Sequence, residues 1–168
     1  MDKKPLVLLD VDGVINDILL VGENFGRWET EFITSHGYEV AIPDYMPELI
    51  RNLCSVAEVH WCTTWRDRAN DEIAAHLGVG PLPVVDDGTT SRYVDWKSAA
   101  AYELAQRALD EGRRGCWIED FWGDEPYDDM PDGVQFVDTA ALEWRAVLMP
   151  HDLPSWLTGL IAQRSRTC

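Results

Sequence analysis

The apolar positions of this chain alternate between two rhythms. Leu6–Leu9 is a short unbroken apolar run, the mark of a strand covered on both faces. Met46, Leu49, Ile50, Leu53 and Cys54 recur at i, i+3, i+4, i+7 and i+8, which is one face of a helix. Val59–Cys62 predicts a second strand. Ala69–Leu77 predicts a helix closed by Gly78, a good residue for a left-handed cap. Pro83–Val85 predicts a short third strand. Ala101, Leu104, Ala105, Ala108 and Leu109 repeat the helical spacing and stop near Gly112. Cys116–Ile118 predicts a fourth strand and Ala146–Met149 a fifth. Leu153, Trp156, Leu157, Leu160 and Ile161 give a closing helix, while the apolar Val134–Val137 has no assigned place. Strand alternating with helix is the signature of an α/β layer with a parallel sheet and helices on both faces.

Composition narrows the partners more than the fold. The 168 residues suit one domain with a single core. No apolar run approaches the roughly 20 residues a membrane span needs. The opening "MDKKPLVLLDVDG" is too short an apolar stretch for a signal peptide, so the expectation is a cytoplasmic protein. The net charge of -16 opposes general binding to nucleic acid or anionic membrane. Cys62 and Cys116 lie inside apolar runs, which predicts buried free thiols, and no Cys/His cluster has zinc spacing.

In a parallel sheet, ligands bind beyond the carboxyl ends of the strands, so the residues that follow each strand matter most. After the first strand come Asp10, Val11, Asp12 and Gly13. After the second come Thr63, Thr64 and Trp65. Lys97 opens the long helix, and Glu119 and Asp120 follow the fourth strand. This set fits phosphoryl transfer. A carboxylate such as Asp10 attacks phosphorus and carries the phosphoryl group. An anionic nucleophile meeting an anionic phosphate needs a cation, and Mg2+ favours oxygen ligands of the kind Asp10, Asp120, Glu119 and the Asp12 carbonyl offer. Lys97 and the Thr63 hydroxyl suit the phosphoryl oxygens. The Asp12 side chain is placed to protonate the leaving oxygen and then to deprotonate water.

The same residues carry a family resemblance. "LVLLDVDGVIN" resembles the first motif of the haloacid-dehalogenase-like (HAD) hydrolase superfamily, "EVHWCTTW" the second, Lys97 in "DWKSA" the third, and "CWIED" the fourth. They occur in order across most of the chain. "WCTTWRDRAN", "HLGVGPLPVV" and "CWIED" also resemble bacterial HAD domains associated with RNA-repair systems. The resemblance implies a Rossmann-like HAD fold in one domain over 1–168. It implies Asp10 as nucleophile, Asp12 as acid and base, Thr63 and Lys97 as phosphate binders, and Asp120 as metal ligand. A carboxylate two residues after the nucleophile resembles the phosphatase branch. "GDEPYD", with Asp124 and Asp128, offers a second version of the fourth motif; the apolar "CWI" before Glu119 and Asp120 favours the first.

HAD enzymes commonly select substrates with an inserted cap. Residues 14–43 contain "RWETEFITSHGYEVAI", which reads as a short helix or loop and a hairpin: a small flap, with minimal or no cap. An open site admits the end of a large molecule. Around Thr64, Arg66 and Arg68, with Arg27 and Arg92, offer local positive charge and Trp65 a stacking face, although in a chain of eight tryptophans packing in the core or rim is the favoured reading of Trp65. The expected substrate is therefore a nucleotide or the phosphorylated end of a nucleic acid. A phosphatase of small phosphorylated metabolites is the alternative, and a catalytically silent HAD-fold binding or regulatory protein is the reading from outside enzymology.

Overall fold

A computed structural model describes residues 3–19, 26–86, 88, 95–120, 131–140 and 146–166. Strand β1 (Leu6–Leu9) is buried along its whole length and lies at the centre of a four-stranded parallel sheet. On one side it pairs with β4 (Glu58–Trp61), on the other with β5 (Gly115–Glu119), which pairs in turn with the edge strand β6 (Val134–Asp138). Between β1 and β4 the chain forms an antiparallel hairpin, β2 (Thr30–Ser35) and β3 (Tyr38–Pro43), then helix α1 (Met46–Val56). Helices α2 (Glu72–Leu77), α3 (Asp95–Asp110) and α4 (Ser155–Ser165) follow among the described residues.

The period-two alternation of the strands sorts the core into two layers. Val7, Leu9, Val59, Trp61, Cys116 and Ile118 face α1 and α2, where Met46, Ile50, Leu53, Ile73 and Leu77 meet them. Leu6, Leu8 and Trp117 face the opposite way, onto Ala101 and Ala108 of α3. Helices on both faces explain why these strands read as continuous apolar runs. No helix among the described residues is long and apolar enough to cross a membrane.

Four expectations change. Val134–Val137 finds its place as β6. Ala146–Met149 is not a strand: Ala146, Val147 and Leu148 are buried, but the segment bonds to loops, Ala146 N to Thr139 O and Leu148 N to Val14 O. Burial by loops gives the same apolar signature as burial in a sheet. Pro83–Val85 contributes only one parallel bridge, between Val84 and Trp61. The helix expected over Ala69–Leu77 is split into a 3-10 turn (Arg66–Asn70) and α2. Asn70 accounts for the break. Its side-chain oxygen accepts from the Trp61 indole and the Leu82 amide, and its nitrogen donates to the Leu82 carbonyl, so the turn is tied to the neighbouring segment. The cap at Gly78 forms as expected, with φ 70°. Cys62 and Cys116 are buried free thiols, and burial pushes the Cys116 thiol up to about 12.

Candidate active site

Asp10 directly follows β1, and its amide donates to the carbonyl of Ile118 on the neighbouring strand. The sheet thus mounts its carboxylate at the carboxyl edge, where it is 4% exposed. Lys97, in the first turn of α3, reaches the same point. Its Nζ lies 3.3 Å from Asp10 Oδ2 and 2.7 Å from Glu119 Oε2, and donates to Glu119 Oε1 at 2.8 Å. Glu119 ends β5 and also accepts from the Trp117 indole at 3.3 Å. Burial works against the Lys97 charge, but the carboxylates of Asp10 and Glu119 outweigh it and hold the amine above its ordinary value. Burial pushes the Glu119 carboxyl well above its usual range, and the like charge of Asp10 adds to that, with Lys97 opposing both.

Asp120, the next residue, is half-buried against the loop that follows β1. Gly13 has φ 70°, and a Cβ there would overlap the Asp120 carboxylate. Only glycine allows this approach. Thr139, fully buried after β6, donates to the Gly13 carbonyl at 2.6 Å and, through its amide, to the Glu119 carbonyl at 2.9 Å. It ties the two strand-end loops together. Nothing in the sequence singled out Thr139, because a lone Thr after an apolar run carries no motif.

The Asp12 carboxylate is held by side chains rather than by the sheet. Asn16 Nδ2 donates to its Oδ1 and the Trp65 indole donates to its Oδ2, each at 2.8 Å. Asn16 Oδ1 accepts from the backbone of Ala41 on β3 at 2.9 Å. The loop itself is a tight turn in which the Val11 carbonyl accepts from the amides of Ile15 and Asn16. Sequence reasoning favours packing for Trp65 and keeps a stacking face as its functional alternative. The structure buries it to 8% exposure and uses its N–H on Asp12. Thr63 is fully buried beneath, its hydroxyl accepting from the Trp65 amide, whereas Thr64 is exposed. Arg66, at φ 53°, bonds Asp86 at 2.6 Å, and the Arg68 guanidinium lies over the Trp65 ring at 5.9 Å. Arg27 is exposed before the hairpin. Asp124, Asp128 and Arg92 lie outside the described residues.

Three carboxylates, from Asp10, Glu119 and Asp120, bring oxygen atoms within 4.8 Å of one another. Lys97 stands against two of them, Asp10 and Glu119. Clustered carboxylate oxygens suit a small hard cation such as Mg2+, so the residues fit the metal that the sequence calls for.

No protein-family model matches the sequence, and no curated protein matches it. Among solved structures, the chain is similar to a protein of Vibrio cholerae proposed to be a 3-deoxy-D-manno-octulosonate 8-phosphate phosphatase, with 16% identity, 99% of this chain and 87% of that chain covered, and a TM-score of 0.47. It is also similar to a proposed HAD superfamily (subfamily III A) hydrolase of Legionella pneumophila, with 20% identity, 98% and 85% covered, and a TM-score of 0.43. On the chain's own residues, the four-stranded parallel sheet with β1 near its centre, helices on both faces and the polar strand-end residues at its carboxyl edge make this a Rossmann-like α/β fold.

Proposed function

We propose that this chain is a magnesium-dependent phosphomonoesterase that works through an aspartyl-phosphate on Asp10, in one domain with the β2–β3 hairpin as its flap. The observation that carries this reading is the convergence of Asp10, Lys97, Glu119 and Asp120 at the end of the central strand, with a separately held carboxylate, Asp12, two residues on.

An Asp10 oxygen attacks phosphorus, the ester P–O bond breaks, and Asp12 gives its proton to the departing oxygen. Asp12 then takes a proton from water as that water attacks phosphorus, which frees Asp10 and inorganic phosphate. Lys97 and Thr63 bind the phosphoryl oxygens, and Lys97 also orients the Asp10 carboxylate. Asp10 and Asp120, with Glu119 alongside, would hold the metal, which supplies positive charge against the transferring group.

A small phosphorylated metabolite suits the site better than the end of a nucleic acid. The Trp65 ring is buried rather than offered for stacking, Arg66 is engaged by Asp86, and the net charge is -16. The test is hydrolysis of p-nitrophenyl phosphate with and without chelator, followed by rates on a panel of sugar phosphates, nucleotides and 5′-phosphorylated oligonucleotides. Activity that survives excess chelator overturns the metal dependence. A preference for oligonucleotide ends at low salt overturns the substrate class. No activity on any phosphate ester leaves the silent binding protein.

A further inference from the structure

We propose that Trp65 and Asn16 are positioning residues that fix the Asp12 carboxylate, and that both take their own positions from the hairpin. The proposal rests on the acid and base role given to Asp12 above. Each oxygen of that carboxylate receives one donor, from Asn16 and from Trp65. An indole has a single N–H and no acceptor. In Trp65 that one donor comes from an almost buried ring and is aimed at a half-buried carboxylate. Asn16 is fixed at both ends of its amide, giving hydrogens to Asp12 and accepting one from Ala41. Rotation of the amide breaks both bonds.

The two donors share a support. Ala41 belongs to β3. Tyr38, at the start of the same strand, meets the Trp65 ring edge-on, with centroids 5.9 Å apart and planes at 76°. The Asp17 amide donates to the Ala41 carbonyl at 2.8 Å, so the loop after β1 and β3 are bonded in both directions. Seating of the hairpin therefore sets both groups that set Asp12. A carboxyl group whose orientation is already fixed needs no ordering during proton transfer, which is where positioning gains rate.

Leaving-group dependence separates positioning from mere packing. An alkyl phosphate needs a proton on its departing oxygen, whereas p-nitrophenolate leaves without one. Trp65→Phe keeps an aromatic ring and removes the N–H at the cost of a smaller side chain, and that packing loss should fall equally on both esters. The substitution should lower kcat/KM for an alkyl phosphate by about tenfold or more, since a hydrogen bond to a charged group is being lost. For p-nitrophenyl phosphate the same change should cost less than about twofold. Tyr38→Ala, at the 62% exposed position on the hairpin, should show the same bias at about threefold. In an Asp12→Asn background, Trp65→Phe should have no further effect on either ester, because a residue acting through Asp12 has nothing left to position. Equal losses on both esters, no loss, or a full Trp65→Phe loss that persists without Asp12 overturn the positioning role alone. An Asp12→Asn enzyme with undiminished kcat/KM on the alkyl ester fails differently: it removes the acid and base reading, and the proposal with it.

Discussion

The two ends of the parallel sheet both carry networks of charge, and they are built differently. At the carboxyl end, Lys97 is enclosed with Asp10 and Glu119, each less than a tenth exposed, and Asp120 stands beside them. At the amino end, Arg113 pairs with Glu58 at 2.7 Å and Glu111 at 3.3 Å, and Lys3 pairs with Glu111 at 3.3 Å. The amino-end carboxylates are about half exposed and are matched by as many cations. Water and balance make that network cheap to keep. The carboxyl-end network is enclosed, and holding paired charges away from water is a costly arrangement for a chain to keep for stability alone. Ion pairs of similar length thus mean different things, and burial is what sets the proposed active end apart.

The comparison breaks most sharply at Asp10. Asp10→Asn should lower kcat by more than about a thousandfold, because an amide is a poor nucleophile and the first bond is never made. Steady-state hydrolysis of p-nitrophenyl phosphate measures this, and turnover near the wild-type value would remove Asp10 from the mechanism. Lys97→Met should follow, with a loss of about a hundredfold or more in kcat. It should also destabilise the fold by about 3–5 kcal/mol in denaturant melts, since removing one partner leaves buried carboxylates uncompensated.

Metal sharpens the same contrast. Magnesium should raise the melting temperature of the wild-type chain, because binding to the folded state alone stabilises it. Asp120→Asn should shrink that rise, and changes at Glu58 or Glu111 should leave it intact. Gly13→Ala combines a left-handed φ with an overlap on Asp120, so it should cost about 1–3 kcal/mol and weaken the magnesium response together. Loss of stability with an undiminished magnesium response would separate Asp120 from the metal.

How legible each part was follows from what holds it. Asp10, Lys97, Glu119 and Asp120 sit at the ends of elements whose periodicity is plain in the sequence, so finding the strands found the residues. The edge strand β6 was harder, because its mixed burial gives neither a clean alternation nor a solid apolar run. Ala146–Met149 misled in the opposite sense, being apolar because loops cover it. The roles of Asn16, Trp65 and Thr139 depend on partners 25 to 126 residues away, at Ala41, Asp12 and Gly13. Local spacing carries no trace of such contacts until the fold is known.

The smallest expected effect lies at the amino end, at Glu58. Burial tends to raise its carboxyl, but the hydrogen bond from His60 and the charge of Arg113 outweigh it, so the group titrates below the ordinary 4.5. A carboxyl that binds its proton less readily in the folded chain contributes stability above its unfolded value, and that contribution fades as pH falls through the folded value. Glu58→Gln should therefore destabilise by no more than about 1 kcal/mol at neutral pH, because the side chain is 45% exposed and screened by water. The difference from wild type should shrink with added salt, begin to fade as the pH falls below about 4.5, and be lost as it passes through the lower folded value. Paired urea melts across that range measure it. A Glu58→Gln loss as large as that of Lys97→Met, or one indifferent to acid, would show that burial does not distinguish the two ends. The carboxyl-end cluster would then need a claim to function beyond its electrostatics.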